Sequence, residues 1–227
     1  MKRSQLNQIL QEAAGFIGGM NYRLPPFAFW SPADWQAKGH DYDEIRANML
    51  GWDVTDFGSG DFAKIGLLLF TVRNGNLQNA QDRKPYAEKI MIVREGQYTP
   101  YHFHFQKMED IINRGGGNLL IQVYNATPAG GFADTPVAVA QDGRHFEVAA
   151  GAVIRLTPGE SITLPVGQYH QFWGEKGQGT VLVGEVSMVN DDRTDNRFYQ
   201  PAGRFPRIEE DAAPLYWLCS EYPAAVD

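Results

Sequence analysis

Residues Gly96–Gly116 read GQYTPYHFHFQKMEDIINRGG and place His102, His104 and Glu109 within eight residues. In a β-strand, side chains at i and i+2 share a face, so His102 and His104 can grip one object together. Tyr101, Phe103 and Phe105 then face the other side, where a sheet buries apolar bulk. Glu109 lies beyond the strand end, or on a curl of it, within reach as a third ligand. A second half follows much later: Gly159-Glu-Ser-Ile-Thr-Leu-Pro165-Val-Gly167-Gln-Tyr-His170. A strand, a Pro-x-Gly turn and a lone histidine are a way to deliver a fourth ligand from a neighbouring strand.

The spacing is specific. The first stretch fits Gly-x5-His-x-His-x4-Glu-x6-Gly through Gly96, His102, His104, Glu109 and Gly116. The second fits Gly-x5-Pro-x-Gly-x2-His through Gly159, Pro165, Gly167 and His170. An isolated His-x-His is more often a surface or core pair than a metal site, but two motifs in order, with matching glycines, reverse that balance. The pair resembles the two motifs of the cupin superfamily. The second motif usually ends in Asn four residues after its His; here that position is Gly174. That Asn is not a ligand in the family, so its loss does not count against a metal.

The chain has 227 residues, enough for one large β-barrel with a substantial core. Hydrophobic residues make up 43% and charged residues 21%, an ordinary globular balance. A net charge of −7 argues against a nucleic-acid or anionic-membrane partner. The single Cys219 can form no internal disulfide, which favours a reducing compartment. The start, MKRSQLNQIL, lacks the apolar stretch of a secretion signal. No run approaches the ~18 apolar residues of a membrane span. A cytoplasmic protein is expected.

Ser4 is expected to cap a helix that ends near Gly15, with Leu6, Ile9, Leu10 and Ala13 on one face. Leu24–Trp30 reads as extended because residues before proline avoid the helical region. Ser31-Pro32 starts a short helix. Asp41–Leu50 reads as another, closed by Gly51, and Trp52–Asp61 as a loop. From about Phe62, short strands separated by Gly, Pro and Asp turns take over, with Leu215–Tyr222 as a last candidate strand. The expectation is an all-β, jelly-roll barrel over residues 62–227. Residues 1–61 form a helical and extended arm packed on it. The arm's aromatics, Phe27, Phe29, Trp30, Trp35 and Trp52, suit both that packing and a dimer contact.

Three imidazoles and a carboxylate suit a divalent Mn, Fe, Co, Ni or Zn ion. Structural zinc sites are usually rich in cysteine, and none lies near this motif. Four protein ligands leave an octahedral ion two adjacent positions. These suit a substrate chelating through two oxygens, as an open-chain sugar does, or dioxygen plus a substrate. Lys107, two residues before Glu109, can point into the same cavity, although lysines are mostly solvated. Glu185 interrupts the apolar strand Val181–Val189, and a buried acid needs a partner or a polar cavity. It is the candidate general base. The loop Asn190–Phe198 begins where that strand ends; Asp191, Asp192, Asp195 and Arg197 can bind sugar hydroxyls there. Lys89, Gln168, Tyr101 and Trp173 are weaker candidates, and His40 and His145 read as ordinary.

The stretches EKIMIVREGQYTPYHFHFQKMEDIINRGGGNLLIQVYNA and GEVSMVNDDRTDNRF, with the length and the aromatic arm, resemble the D-lyxose isomerase family of cupins. The resemblance covers most of the chain. It implies a homodimeric sugar isomerase that converts D-lyxose to D-xylulose, and often D-mannose to D-fructose. It also implies manganese as the ion held by His102, His104, Glu109 and His170, with Zn2+, Co2+, Fe2+ and Ni2+ as alternatives. The reaction implied is proton transfer through a metal-stabilised cis-enediol. Our reading of the residues makes Glu185 the expected base and Lys107 its partner at the oxygens, with Lys107, Asp192, Asp195 and Arg197 expected to bind substrate. Two other readings of the same barrel stand beside it. One is a metal-dependent dioxygenase, with iron, oxygen consumption and a more apolar pocket. The other is a sugar-binding cupin without turnover.

Overall fold

Leu67–Phe70 is apolar at every position because both of its faces are covered. Leu67 and Leu69 enter the barrel core, while Leu68 and Phe70 meet the N-terminal helix on the outside. The computed structural model describes residues 1–192, 194–203 and 206–226. Its helices are α1 (Arg3–Gly19), α2 (Pro32–Trp35) and α3 (Asp43–Ala47). Its first strands are β1 (Gly51–Thr55), β2 (Leu67–Arg73), β3 (Tyr86–Val93), β4 (His102–His104), β5 (Glu109–Gly116), β6 (Leu119–Ala126) and β7 (Phe132–Ala133). They continue as β8 (Val137–Gln141), β9 (Arg144–Val148), β10 (Val153–Leu156), β11 (Ser161–Leu164), β12 (Gln168–Gly174), β13 (Val181–Met188) and β14 (Asn196–Phe198).

One sheet runs β1-β2-β3-β13-β5-β11-β8-β9 and the other β10-β6-β12-β4-β14, with β7 beside β6. The described strand pairings are antiparallel. Between the sheets, Met91, Ile111 and Val183 of the first face Ile121, Val123 and Phe172 of the second. Each such side chain contributes roughly 1.5–3 kcal/mol on burial. This is the expected all-β, cupin-type jelly-roll barrel. No helix among the described residues is long and apolar enough to cross a membrane.

The arm departs from expectation at several points. Lys2, not Ser4, is the N-cap of α1. Ser4 lies inside the helix and binds Asp211 through its amide and hydroxyl, at 2.9 and 2.7 Å. The helix passes Gly15 and ends only at Gly19, because Leu6, Leu10, Ala13 and Ile17 all bury against the sheet. Packing of that face outweighs the roughly 1 kcal/mol cost of a helical glycine. Ser31 caps α2 as expected, its Oγ accepting from the Asp34 amide at 3.2 Å. The helix expected over Asp41–Leu50 is a 3-10 turn at His40–Tyr42 followed by α3. Met49, with φ +54°, takes the left-handed position there, and Gly51 opens β1 instead. Trp52–Asp61 is therefore not wholly loop. β1 joins the first sheet beside β2, anchored by Trp52, whose Nε1 donates to the Ala28 carbonyl at 2.7 Å. Leu215–Tyr222 forms no strand. It packs on the arm, with Tyr222 stacked on Trp35 at 4.0 Å and Glu221 paired with Arg3.

Candidate active site

β4 and β12 are neighbours, with His102 opposite His170. Strand alternation puts His104 on the same face as His102. One nitrogen from each of the three imidazoles lies within 4.8 Å of the others. Glu109 is not on a curl of β4. It is the first residue of β5, so Phe105–Met108 carries the chain from one sheet to the other. Its Oε1 stands 3.3 Å from His104 Nε2 and 3.2 Å from His170 Nε2. Three imidazoles from one sheet thus close against a carboxylate from the opposite sheet.

The backbone sets this geometry. The motif glycines Gly96, Gly116, Gly159 and Gly167 have φ of +64°, +86°, +99° and +76°, where a Cβ is strained. The Gly167 amide donates to the His104 carbonyl at 3.0 Å, tying the turn before His170 to β4. Gly174 replaces the usual Asn because a Cβ there would stand 2.7 Å from the Arg94 carbonyl oxygen.

His102 Nδ1 meets the Pro100 carbonyl at 2.9 Å, and His170 Nδ1 meets the Gln168 carbonyl at 3.1 Å. These contacts hold the proton on Nδ1 and leave the Nε2 lone pair for the centre. Burial pushes His102 well below the usual histidine range, and His170 and His104 push it the same way. The ring is neutral, the form that binds metal. Both ring nitrogens of His104, and His170 Nε2, are buried without a hydrogen-bond partner. Their approach to Glu109 is close but lacks hydrogen-bond alignment. Buried polar atoms left so are costly, and a cation at the centre would supply the missing partner of the two Nε2 atoms. The donor set therefore fits a divalent ion.

Beside the cage lies a charged cluster. Lys107 Nζ is 2.7 Å from Glu109 Oε2 and 2.8 Å from Glu185 Oε1. Glu185 pairs across strands with Lys89, whose Nζ is 3.1 and 3.3 Å from its two carboxylate oxygens. Glu185 faces the interior, because Val181 and Val183 on its side of β13 enter the core while Leu182 faces the helix. All four charged groups are buried, and two ammoniums balance two carboxylates. Burial pushes Glu185 up, but Lys107 and Lys89 outweigh it and hold the carboxyl below its usual value. Burial likewise pushes Glu109 up, and Lys107 and His104 bring it well below the carboxylate range. Burial would lower Lys107; Glu109 and Glu185 prevail and keep it charged.

The remaining candidates separate. Asp192 lines the cavity. Asp195 instead caps the sheet-crossing turn, accepting from the Gln106 and Lys107 amides at 2.7 and 3.0 Å, and so orients Lys107. Arg197 points away: on β14 it alternates to the far face, opposite Phe103, and reaches the Ala129 carbonyl at 3.4 Å. Asp191 accepts from the Thr194 hydroxyl at 2.6 Å. Of the weaker candidates, Lys89 enters the cluster. Gln168 turns to the Ala138 carbonyl, Tyr101 to Gln122, and Trp173 packs on Tyr98. Asn190 was passed over in the sequence. Its Oδ1 accepts from Lys89 at 2.7 Å and from Lys107 at 3.2 Å, and no spacing signal marks it. The cavity lined by His102, His104, Glu109, Lys107 and Glu185 measures about 60 Å3. A second, of about 710 Å3, lies behind Asn190, and Asp192 borders both.

A barrel with three imidazoles and a carboxylate closing on one point, beside a buried lysine–glutamate cluster, is a cupin-type site whose donors could hold a divalent ion. The family model for D-lyxose isomerase matches residues 1–222. The chain is 55% identical to the D-lyxose/D-mannose isomerase of Serratia proteamaculans over 98% of both chains. It is 51% identical to the enzyme of the same name from Escherichia coli O157:H7, again over 98% of both. Among solved structures, an L-ribose isomerase of Acinetobacter sp. DL28 shares the fold, with a TM-score of 0.60 at 17% identity. That match covers 92% of this chain and 98% of the other. The chain belongs to the D-lyxose isomerase family and is a sugar isomerase that interconverts an aldose and a ketose.

Proposed function

We propose that the enzyme converts D-lyxose to D-xylulose, and D-mannose to D-fructose, by metal-dependent proton transfer through a cis-enediol. The observation that carries this reading is the convergence of Lys107 on both Glu109 and Glu185, at 2.7 and 2.8 Å, beside the imidazole cage. His102, His104, Glu109 and His170 would hold the ion, with Mn2+ the first choice. When bound, a divalent ion supplies Lewis acidity toward the sugar's carbonyl and adjacent hydroxyl oxygens. Glu185, held ionised by its two lysines, takes the proton from C2 and returns it to C1. Lys107 donates to the oxygens as charge shifts between them, and a proton passes from O2 to O1, so the net reaction is an isomerisation. Asp192 meets the distal hydroxyls. Asp195 serves the same end through the backbone of Lys107.

The test is anaerobic turnover. Chelator-stripped protein is recharged with Mn2+ and incubated with D-lyxose, D-mannose, D-xylose and D-glucose in deuterated water. Ketose from the first two, with partial deuterium at the transferred carbon, is the expected result. No ketose from any aldose would sink the reading, and oxygen uptake by the Fe2+-loaded sample would favour a dioxygenase.

We also infer a cytoplasmic homodimer. Tyr86, Met108, Val186 and Met188 are each about half exposed and adjoin one another on the outer face of β3, β13 and the start of β5. That face is the first to probe. Light scattering should give twice the monomer mass, and Met188→Glu should lower it.

A further inference from the structure

We propose that Asn190 is the positioning residue of the Lys89–Lys107 pair, a neutral acceptor held in place by an asparagine relay from outside the barrel. This rests on the isomerase reading for its catalytic consequence, though not for its geometry.

Each ammonium has three donors, and each meets three partners. Lys89 Nζ meets both Glu185 oxygens and Asn190 Oδ1. Lys107 Nζ meets Glu109, Glu185 and Asn190 Oδ1. Among the described residues, Asn190 is the one acceptor that both lysines share besides Glu185, and the one without charge. The chemistry favours an amide there. Two carboxylates already balance two ammoniums, so a third would crowd like charges into a buried site. An apolar side chain would leave a donor of each lysine unmade. A carboxamide oxygen completes both without changing the charge.

Asn190 follows the end of β13, where the sheet no longer fixes the chain. Asn74 does so instead. The Asn190 amide donates to Asn74 Oδ1 at 3.0 Å, and Asn74 Nδ2 returns a bond to the Asn190 carbonyl at 3.0 Å. Asn48 backs Asn74 in turn, its Nδ2 donating to the Asn74 carbonyl at 2.9 Å and to Asp82 at 2.6 Å. Asn48 and Asn74 are both 5% exposed, so water competes little for these bonds. Asn48, Asn74 and Asn190 also line the 710 Å3 cavity. The two lysines that line the smaller cavity thus share an acceptor, Asn190, that is held by residues lining the larger one.

Asn190→Ala should lower kcat about 10- to 100-fold, because it removes the neutral acceptor of both ammoniums. KM should change less than threefold, and bound metal should be unchanged, because no ligand is touched. Asn74→Ala should lower kcat less. The double variant should be no slower than Asn190→Ala, since Asn74 acts through Asn190. An activity-independent readout is hydrogen exchange of 15N-labelled lysine ammonium groups, identified with Lys89→Met and Lys107→Met. Both signals should be protected in the parent and exchange at least tenfold faster in Asn190→Ala. Should that variant fail to fold, Asn74→Ala carries the same two readouts. Parent-like kcat, ammonium protection that survives the substitution, or effects of the two variants that multiply would each overturn the proposal. If the parent makes no ketose, the isomerase reading fails, and ammonium exchange alone still decides the role of Asn190.

Discussion

The two walls of the candidate active-site cavity are built on opposite plans. The six-stranded wall offers three neutral imidazoles, two of them oriented by backbone carbonyls only two residues away. The eight-stranded wall, with the Phe105–Met108 crossing that leads into it, offers two carboxylates and two ammoniums, oriented by one another across three strands, that crossing and the chain beyond β13. One wall needs only local geometry and a positive guest. The other is a closed charge set whose members depend on all the rest. The first therefore suits holding an ion and the second moving protons, and the substitutions that follow are chosen to separate the two.

The largest effect is expected at Glu185. Glu185→Gln removes the proposed base and keeps the shape, so kcat should fall about 10²–10⁴-fold while metal content, read by elemental analysis, stays at the parent level. His104→Ala should do the reverse, losing the metal first and activity with it. Equal metal loss in both would erase the distinction between the walls. Next in size is Lys107→Met, which strands Glu109 in the interior and leaves Glu185 with Lys89 alone. Breaking a buried pair from one side costs about 3–5 kcal/mol, a drop in Tm on the order of 10 °C for a chain of this size. Lys89→Met should cost less, because Glu185 keeps Lys107. Equal losses for the two lysines would show that the cluster is not centred on Lys107.

Metal removal sharpens the other side. With Mn2+ at a hundred times its Kd, binding stabilises the fold by about 2.7 kcal/mol. Calorimetry with and without chelator should show that loss in the parent and almost none in His104→Ala. The smallest effect lies far from both walls. Ser31→Ala removes the cap of α2 and should cost about 1 kcal/mol, with kcat and metal content unchanged.

Much of this was legible in the chain. Side chains two apart share a strand face, so His102 and His104 announce a common target whatever surrounds them. Gly167 sets the turn that brings His170 to β4, and its left-handed φ bears out the Pro-x-Gly reading. The apolar run broken by Glu185 pointed to a buried acid, and that acid faces the cavity. The same reasoning failed wherever a distant contact overrode local preference. Glycine should stop α1 near Gly15, yet the sheet beneath holds the helix to Gly19. An aromatic tail should make a strand, yet Leu215–Tyr222 packs on the arm through side chains such as Tyr222.

Four candidate ligands spaced along two short motifs, and the barrel those motifs imply, follow from strand alternation and turn chemistry. Both act over a few residues and leave their period in the sequence. The partners of Glu185, the outward turn of Arg197, the capping role of Asp195 and the place of Asn190 follow from strand register and side-chain networks. Lys89 meets Glu185 because β3 lies beside β13, and Asn190 meets both lysines because Asn74 holds it there. Register pairs residues about a hundred positions apart, and no local pattern records which residue will stand opposite which.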